Sequence, residues 1–333
     1  MALPQDLADR LSLPLIAAPM FLVSGPDLVV EACRAGVVGA FPTVNCRTTE
    51  ELDAWLVDMK ARLQDAEQRS RRRLAPLCPN VLVHPSNRRR DADVDVLVAH
   101  GVELVIASVG NPAPIIPALH DIGCRVLADV ATLRHAEKAI ASGADGLVLL
   151  TAGAGGQTGW ANPFAFVRAV RAMWDGPIVL AGGVSDGQAL FAARALGCDL
   201  AYMGTRFIAT RESMAATRYK DMLVESRLDD VLLTKAVTGL ETNILRPSLV
   251  AAGLDPDRLP ARGTIDIAKD IDRGAHEQAD TGEARRWKDI WSAGHSVSGV
   301  ADVPTVADLV TRTAAEYQAA RAQAVSAGGG KLP

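Results

Sequence analysis

The chain has 333 residues, 49% of them hydrophobic and 22% charged, with a formal net charge of −4. This composition can bury a large core and excludes disordered, fibrous and collagen-like chains. The mild acidity excludes a global attraction to nucleic acid or to anionic membrane, so any anion site must be local. No run approaches the roughly 18 apolar residues of a membrane span. The opening "MALPQDLADRLSLPLIAAPM" puts acidic residues ahead of its apolar part, unlike a secretory leader. The expected location is cytoplasmic. Five cysteines, Cys33, Cys46, Cys78, Cys124 and Cys198, are widely spaced and form no CxxC pair. They read as buried free thiols of a reducing compartment.

In chain order, short apolar runs alternate with longer amphipathic ones. The runs are "PLIAAP", "VVGAFPT", "CPNVLV", "LVIASV", "RVLADV", "GLVLLT", "PIVLAG" and "LAYMGTRF". Each suits a strand buried on both faces. Helix starts lie between them. Thr48 with Glu51 makes a capping box ahead of "TEELDAWLVDMKARL", Ser185 with Gln188 makes another ahead of "DGQALFAARAL", and Asn162 caps a helix that begins with Pro163. Eight βα units in about 210 residues predict an α/β fold of the closed (β/α)8 TIM barrel type rather than an open doubly wound sheet.

After "MGTRFIATRES" the alternation stops. Residues 211–303 are expected to form a mainly helical insertion, without a strand series, that caps the barrel mouth. "TVADLVTRTAAEYQAARAQAV" then supplies the eighth outer helix, so the barrel comprises residues 1–210 and 304–325, and residues 326–333 form a loose tail.

Barrel enzymes place their chemistry at the C-terminal ends of the strands and often hold phosphate in the loops after strands seven and eight. Here "AGGVSDG" follows the seventh run and "MGTRF" the eighth. The first lets backbone N–H groups approach an anion ahead of a capped helix. The second adds Gly204, the Thr205 hydroxyl and the Arg206 cation. Together they predict a ligand that bears phosphate.

At these residues the chain resembles a known family. "APM", "PNVLVHP", "AGAGGQTG", "AGGVSDG", "YMGTRFIATRES" and "KDIWSAGHSVSG", in this order along the chain, are similar to motifs of the nitronate monooxygenases, also called 2-nitropropane dioxygenases. The resemblance implies an FMN-dependent barrel oxidoreductase that oxidises alkyl nitronates with O2, and it names the phosphate as that of FMN. It places Met20 and Asn80 beside the flavin, Gly155 and Gly156 where the chain passes close to it, and Gly182, Gly183, Gly204 and Thr205 at its phosphate. It places Asp129 where some members carry lysine, with a ribityl or backbone hydrogen bond as the expected role.

Gln157 stands where family members usually carry the histidine that removes the substrate proton. An amide donates and accepts hydrogen bonds but has no usable proton-transfer pKa. It can orient an anion or a nitro oxygen. His295 in "WSAGHSVSG" and His84 in "VLVHPSN" are the histidines near family motifs, and His295 is the first candidate for a replacement base. His135 reads as structural, and His100, His120 and His276 have no motif around them.

The missing histidine keeps a second activity open, an FMN-dependent reductase or oxidase of an unsaturated acyl thioester such as an acyl-CoA, or an NAD(P)H:quinone reductase. A flavin-binding protein without catalysis is a third reading. The runs "RSRRRL" and "NRRRD" are either solvated faces or a grip for the phosphates of a CoA thioester. The expected partners are therefore small molecules with O2 or NAD(P)H. A homodimer is open, and neither nucleic acid nor membrane is expected.

Overall fold

The computed structural model describes residues 3–259 and 289–328. Eight parallel strands close into a barrel: β1 (Leu15–Ala17), β2 (Val38–Pro42), β3 (Leu77–Leu82), β4 (Leu104–Ser108), β5 (Arg125–Val130), β6 (Gly146–Leu150), then β8 (Ile178–Ala181) and β9 (Leu200–Met203). β9 closes the ring on β1, with Ile16 opposite Tyr202 and Ala17 opposite Met203. All eight expected runs hold a barrel strand, although the eighth is shorter than expected because "TRFI" forms a helical turn, Thr205–Ile208.

The two-residue period of a strand explains why the runs read as continuously apolar. Ile16, Val38, Ala40, Cys78, Leu104, Ile106, Leu127, Val148, Val179 and Leu200 fill the barrel interior as one cluster. Their neighbours, such as Leu15, Val105, Val126, Leu147 and Ile178, belong to a second cluster shared with the outer helices. All five cysteines are free and buried. Burial pushes the Cys33, Cys46, Cys124 and Cys198 thiols up to about 12.

Helix starts follow the caps with one shift. The Thr48 side chain accepts from Glu51 N at 3.2 Å, and Asn162 Oδ1 accepts from Phe164 N at 2.9 Å. The helix Gly187–Leu196 is capped by Asp186, whose Oδ1 accepts from Ala189 N at 2.7 Å, one residue later than the expected Ser185. A carboxylate is the stronger acceptor at a helix N-terminus. The helix Val306–Gly328 packs on Gly187–Leu196 and on Pro26–Ala35, in the outer ring. It takes in the first residues of the expected tail, and residues 329–333 lie outside the described residues.

The segment after the barrel departs from expectation in one respect. Alongside the helices Thr217–Glu225 and Arg246–Ala251 it carries an antiparallel hairpin, β10 (Val231–Thr234) with β11 (Thr242–Leu245). A third strand joins this sheet from the barrel's own loop, β7 (Gly156–Gln157). Pairing places Gln157 opposite Thr242 and Gly156 opposite Asn243. Each strand is too short to show a pattern of its own, so the hairpin was not visible in the sequence.

Candidate active site

A cavity of about 300 Å³ opens at the C-terminal end of the barrel strands. Its floor continues the inward alternation of the strands by one more layer. Two residues beyond Cys78, Ile106, Leu127 and Leu200 stand Asn80, Ser108, Asp129 and Tyr202, and all four line the cavity. On these four strands the apolar layers thus end in polar side chains where the barrel meets its mouth.

That polar layer is only partly satisfied. Asn80 Nδ2 donates to Ile106 O at 3.3 Å and to Ser108 Oγ at 3.0 Å. Asp129 Oδ1 and the Tyr202 hydroxyl are buried without a hydrogen-bond partner. Burial pushes the Asp129 carboxyl up to about 7, and among the described residues no cation offsets it. Burial, and then the neighbouring Asp129, holds the Tyr202 phenol well above its ordinary value. Buried polar atoms without partners are uncommon and point to a group that binds there.

One wall is the turn after β1. Met20 N donates to Ser24 Oγ at 3.0 Å, while Asn45 Nδ2 donates to Met20 O at 3.1 Å and to Ser24 O at 2.8 Å. Asn45, unremarked in the sequence, therefore sets the height of Met20. The opposite wall is the glycine loop, which two contacts from the segment after the barrel hold in place. Asn243 Nδ2 donates to Ala152 O at 3.1 Å and to Ala154 O at 2.7 Å. A Cβ on Gly155 would come within 2.7 Å of Gly294 N, so only glycine permits that approach. Gln157, at the end of this loop, faces the cavity.

The third wall carries the two glycine turns. Gly182 and Gly183 have φ of +123° and +80°, and a Cβ on Gly183 would meet nothing within 4 Å, which leaves its backbone bare toward open space. Gly204 and Thr205 line the same cavity, and Thr205 Oγ accepts from Gly294 N at 3.0 Å. The Arg206 cation does not join them, contrary to expectation. Its guanidinium turns outward from the cavity to Asp302 at 3.4 Å, and burial draws its pKa down. The roof comprises Thr238, Leu240, Ile290, Ala293 and the stacked pair Tyr219 and Trp291, whose ring centroids are 5.0 Å apart.

Of the expected site residues, all but Arg206, His84 and His295 line this cavity. His295 is exposed, its N–H bound to Gly153 O at 3.0 Å, and its neighbour Ser296 faces inward instead. His84 is engaged with Ser86 Oγ at 2.7 Å and also lies off the wall. Among the described residues no histidine lines the cavity; His276 lies outside them. The arginine runs are likewise absent from it. Arg71 to Arg73 precede β3 and so sit at the opposite end of the barrel, with Arg73 paired to Glu103 at 3.0 Å. Arg89 pairs with Asp93 at 2.9 Å and Arg90 with Asp91 at 2.7 Å. Sequence reasoning missed Ser108, Tyr202, Asn45 and Asn243. The first two were accessible from the strand alternation alone, and the last two were not.

The family profile described as nitronate monooxygenase matches residues 6–316. A nitronate monooxygenase of Paraburkholderia phytofirmans is 26% identical, with 92% of each chain covered. A hydroxy-methyl-oxo-octahydroindene-carboxyl-CoA dehydrogenase of Rhodococcus jostii is 28% identical over 71% of this chain, and the match spans less than two thirds, 64%, of that relative. Among solved structures, a nitroalkane oxidase of Streptomyces ansochromogenes superposes with a TM-score of 0.77 at 26% identity, covering 95% of this chain and 99% of that one. FabK of Thermotoga maritima, at 22% identity and a TM-score of 0.76, over 98% and 99% of the two chains, shares the fold. The profile runs from the first helix of the barrel into its last and takes in every wall of the cavity, and the chain therefore belongs to the nitronate monooxygenase family of oxidoreductases.

Proposed function

We propose that the chain is an FMN-dependent nitronate monooxygenase that acts on the preformed nitronate anion. The observation that carries this reading is Gln157 on the wall of a cavity that no histidine lines among the described residues. The cavity suits a flavin mononucleotide. Bare backbone at Gly183 opens onto it, with Gly182, Gly204 and Thr205 adjacent, and the partnerless Asp129 and Tyr202 await a polar ligand on the floor. Met20 and the Gly155–Gly156 turn would flank the bound group. The barrel, residues 1–210 and 304–325, and a capping insertion, residues 211–303, are the division this reading uses.

A bound flavin supplies the two-electron oxidation and passes electrons to O2. The protein does the rest. The Gln157 amide N–H can hold a nitro oxygen and takes no proton, which a substrate already ionised does not require. Asp129, neutral below about 7, can donate a hydrogen bond from the floor; above that it presents a negative charge. Asn80, with Ser108, keeps the neighbouring floor rigid. Tyr219 and Trp291 roof the cavity and limit water.

The test is anaerobic. The yellow protein is mixed with nitroethane held neutral, below its own pKa, and with ethyl nitronate, while the flavin absorbance is followed. Bleaching by the nitronate and not by neutral nitroethane supports the reading. Rapid bleaching by the neutral form refutes it. The competing activity, on an unsaturated acyl thioester, is favoured by the same lack of a lining histidine among the described residues and by the CoA-thioester relative.

A further inference from the structure

A second cavity, of about 600 Å³, lies beside the first on the β4 and β5 side of the mouth. Val109, Asp129, Leu150, Gln157 and Leu240 line both, so the two are contiguous at Gln157. The doorway is conformationally demanding. Val109 holds a φ of +58°, which a β-branched residue adopts only under constraint, and such outliers cluster at ligand sites.

The second cavity differs from the first in charge. His135 and Lys138 stand one turn apart on the helix Leu133–Ala141, and Lys235, from the turn after β10, lines the same concave wall. These groups come from two elements far apart in sequence, so their convergence is not the solvated face of one helix. Among the described residues Lys138 makes no ion pair, and Lys235 shares one with Glu241 at 3.5 Å. Apart from Asp129 at the doorway, Glu241 is the carboxylate on this wall.

We propose that this second cavity is a subsite for the phosphate-bearing tail of a nucleotide-linked substrate or co-substrate whose reacting end lies against Gln157. The proposal rests on the oxidoreductase reading above. An extended ligand is indicated by the space that continues beyond the doorway, and phosphate by cationic side chains converging from two sides. Two sources share this chemistry, the coenzyme A moiety of an acyl thioester and a reduced nicotinamide dinucleotide. The arginine runs serve neither, because they lie outside both cavities.

The experiment is calorimetric titration of the flavin-loaded chain with coenzyme A, with NADPH and with inorganic phosphate. The parent is compared with the double variants Lys138→Glu/Lys235→Glu and Lys138→Gln/Lys235→Gln. Coenzyme A should bind the parent with an affinity that falls as salt rises. It should bind about tenfold more weakly to the charge-reversed variant, with the neutral variant between. The same lysine dependence with NADPH instead also supports the subsite and assigns the tail to the electron donor. Equal affinity in parent and both variants overturns the proposal, as does failure of both nucleotides to bind. Inorganic phosphate binding as tightly as either nucleotide overturns the extended-tail assignment. Oxidation of ethyl nitronate by the parent tests the underlying reading separately, since that substrate has no tail.

Discussion

Replacing Asp129 with asparagine should change how the flavin-free chain responds to pH, and the site fixes both sign and size. In the folded parent the Asp129 carboxyl keeps its proton up to about 7, against 3.8 for the ordinary side chain, because burial penalises its charged form. Between those values the folded chain binds more protons than the unfolded one. Its contribution is therefore fully present below the ordinary value and is lost as pH rises through about 7. The gap between the two values corresponds to about 4 kcal/mol at about 1.4 kcal/mol per pH unit, an upper bound because water entering the cavity eases the burial. Asparagine does not titrate, so other groups cancel when variant and parent are compared. Urea unfolding at several pH values between 4 and 8 should show Asp129→Asn gaining on the parent as pH rises, by up to that amount. A difference that stays flat, or that shrinks toward high pH, would refute the account of the cavity floor.

Three further outcomes follow from the walls. Gly183→Val should abolish flavin retention, read as loss of yellow colour on purification, since its side chain would project into the open space and its φ of +80° resists a β-branched residue. Gln157→His should create activity on neutral nitroethane. The gain would approach the roughly 10²- to 10⁴-fold of general-base catalysis only if the imidazole reaches the substrate proton, and an unchanged pH profile would show that it does not. Asn243→Ala removes the two side-chain hydrogen bonds that Asn243 makes to the glycine loop and should lower stability by about 1–3 kcal/mol while raising KM more than it lowers kcat. An unaltered Tm would mean that the loop is held by other contacts.

The barrel was legible because each strand lies between two apolar layers, so the runs from "PLIAAP" to "LAYMGTRF" carry the signal of both faces. The glycine turns were legible for a similar reason, since positive φ at Gly182 and Gly183 excludes most other residues. Direction was harder to read than position. Arg206 follows Thr205 directly, yet its side chain leaves the cavity for Asp302, and His295 is turned outward while Ser296 is turned in. The hairpin of β10 and β11 depends on contacts distant in sequence, with Gly156 and Gln157, and no local pattern encodes those. Asp129 shows the limit most clearly. Its position at the end of β5 was evident, but its proton affinity depends on what surrounds it in the barrel.

The short pairing of β7 with β11 divides authorship of the site between two parts of the chain. The barrel strands supply the floor and carry the glycine turns at their ends. The bearing of Gln157 is dictated by Thr242 and Asn243, which enter only once the barrel strands are complete. Grafting a relative's segment 211–303 onto these strands would therefore re-aim the amide over an unaltered floor. Substrate preference in such a chain can drift by exchange of one cassette, while the machinery beneath it is inherited intact.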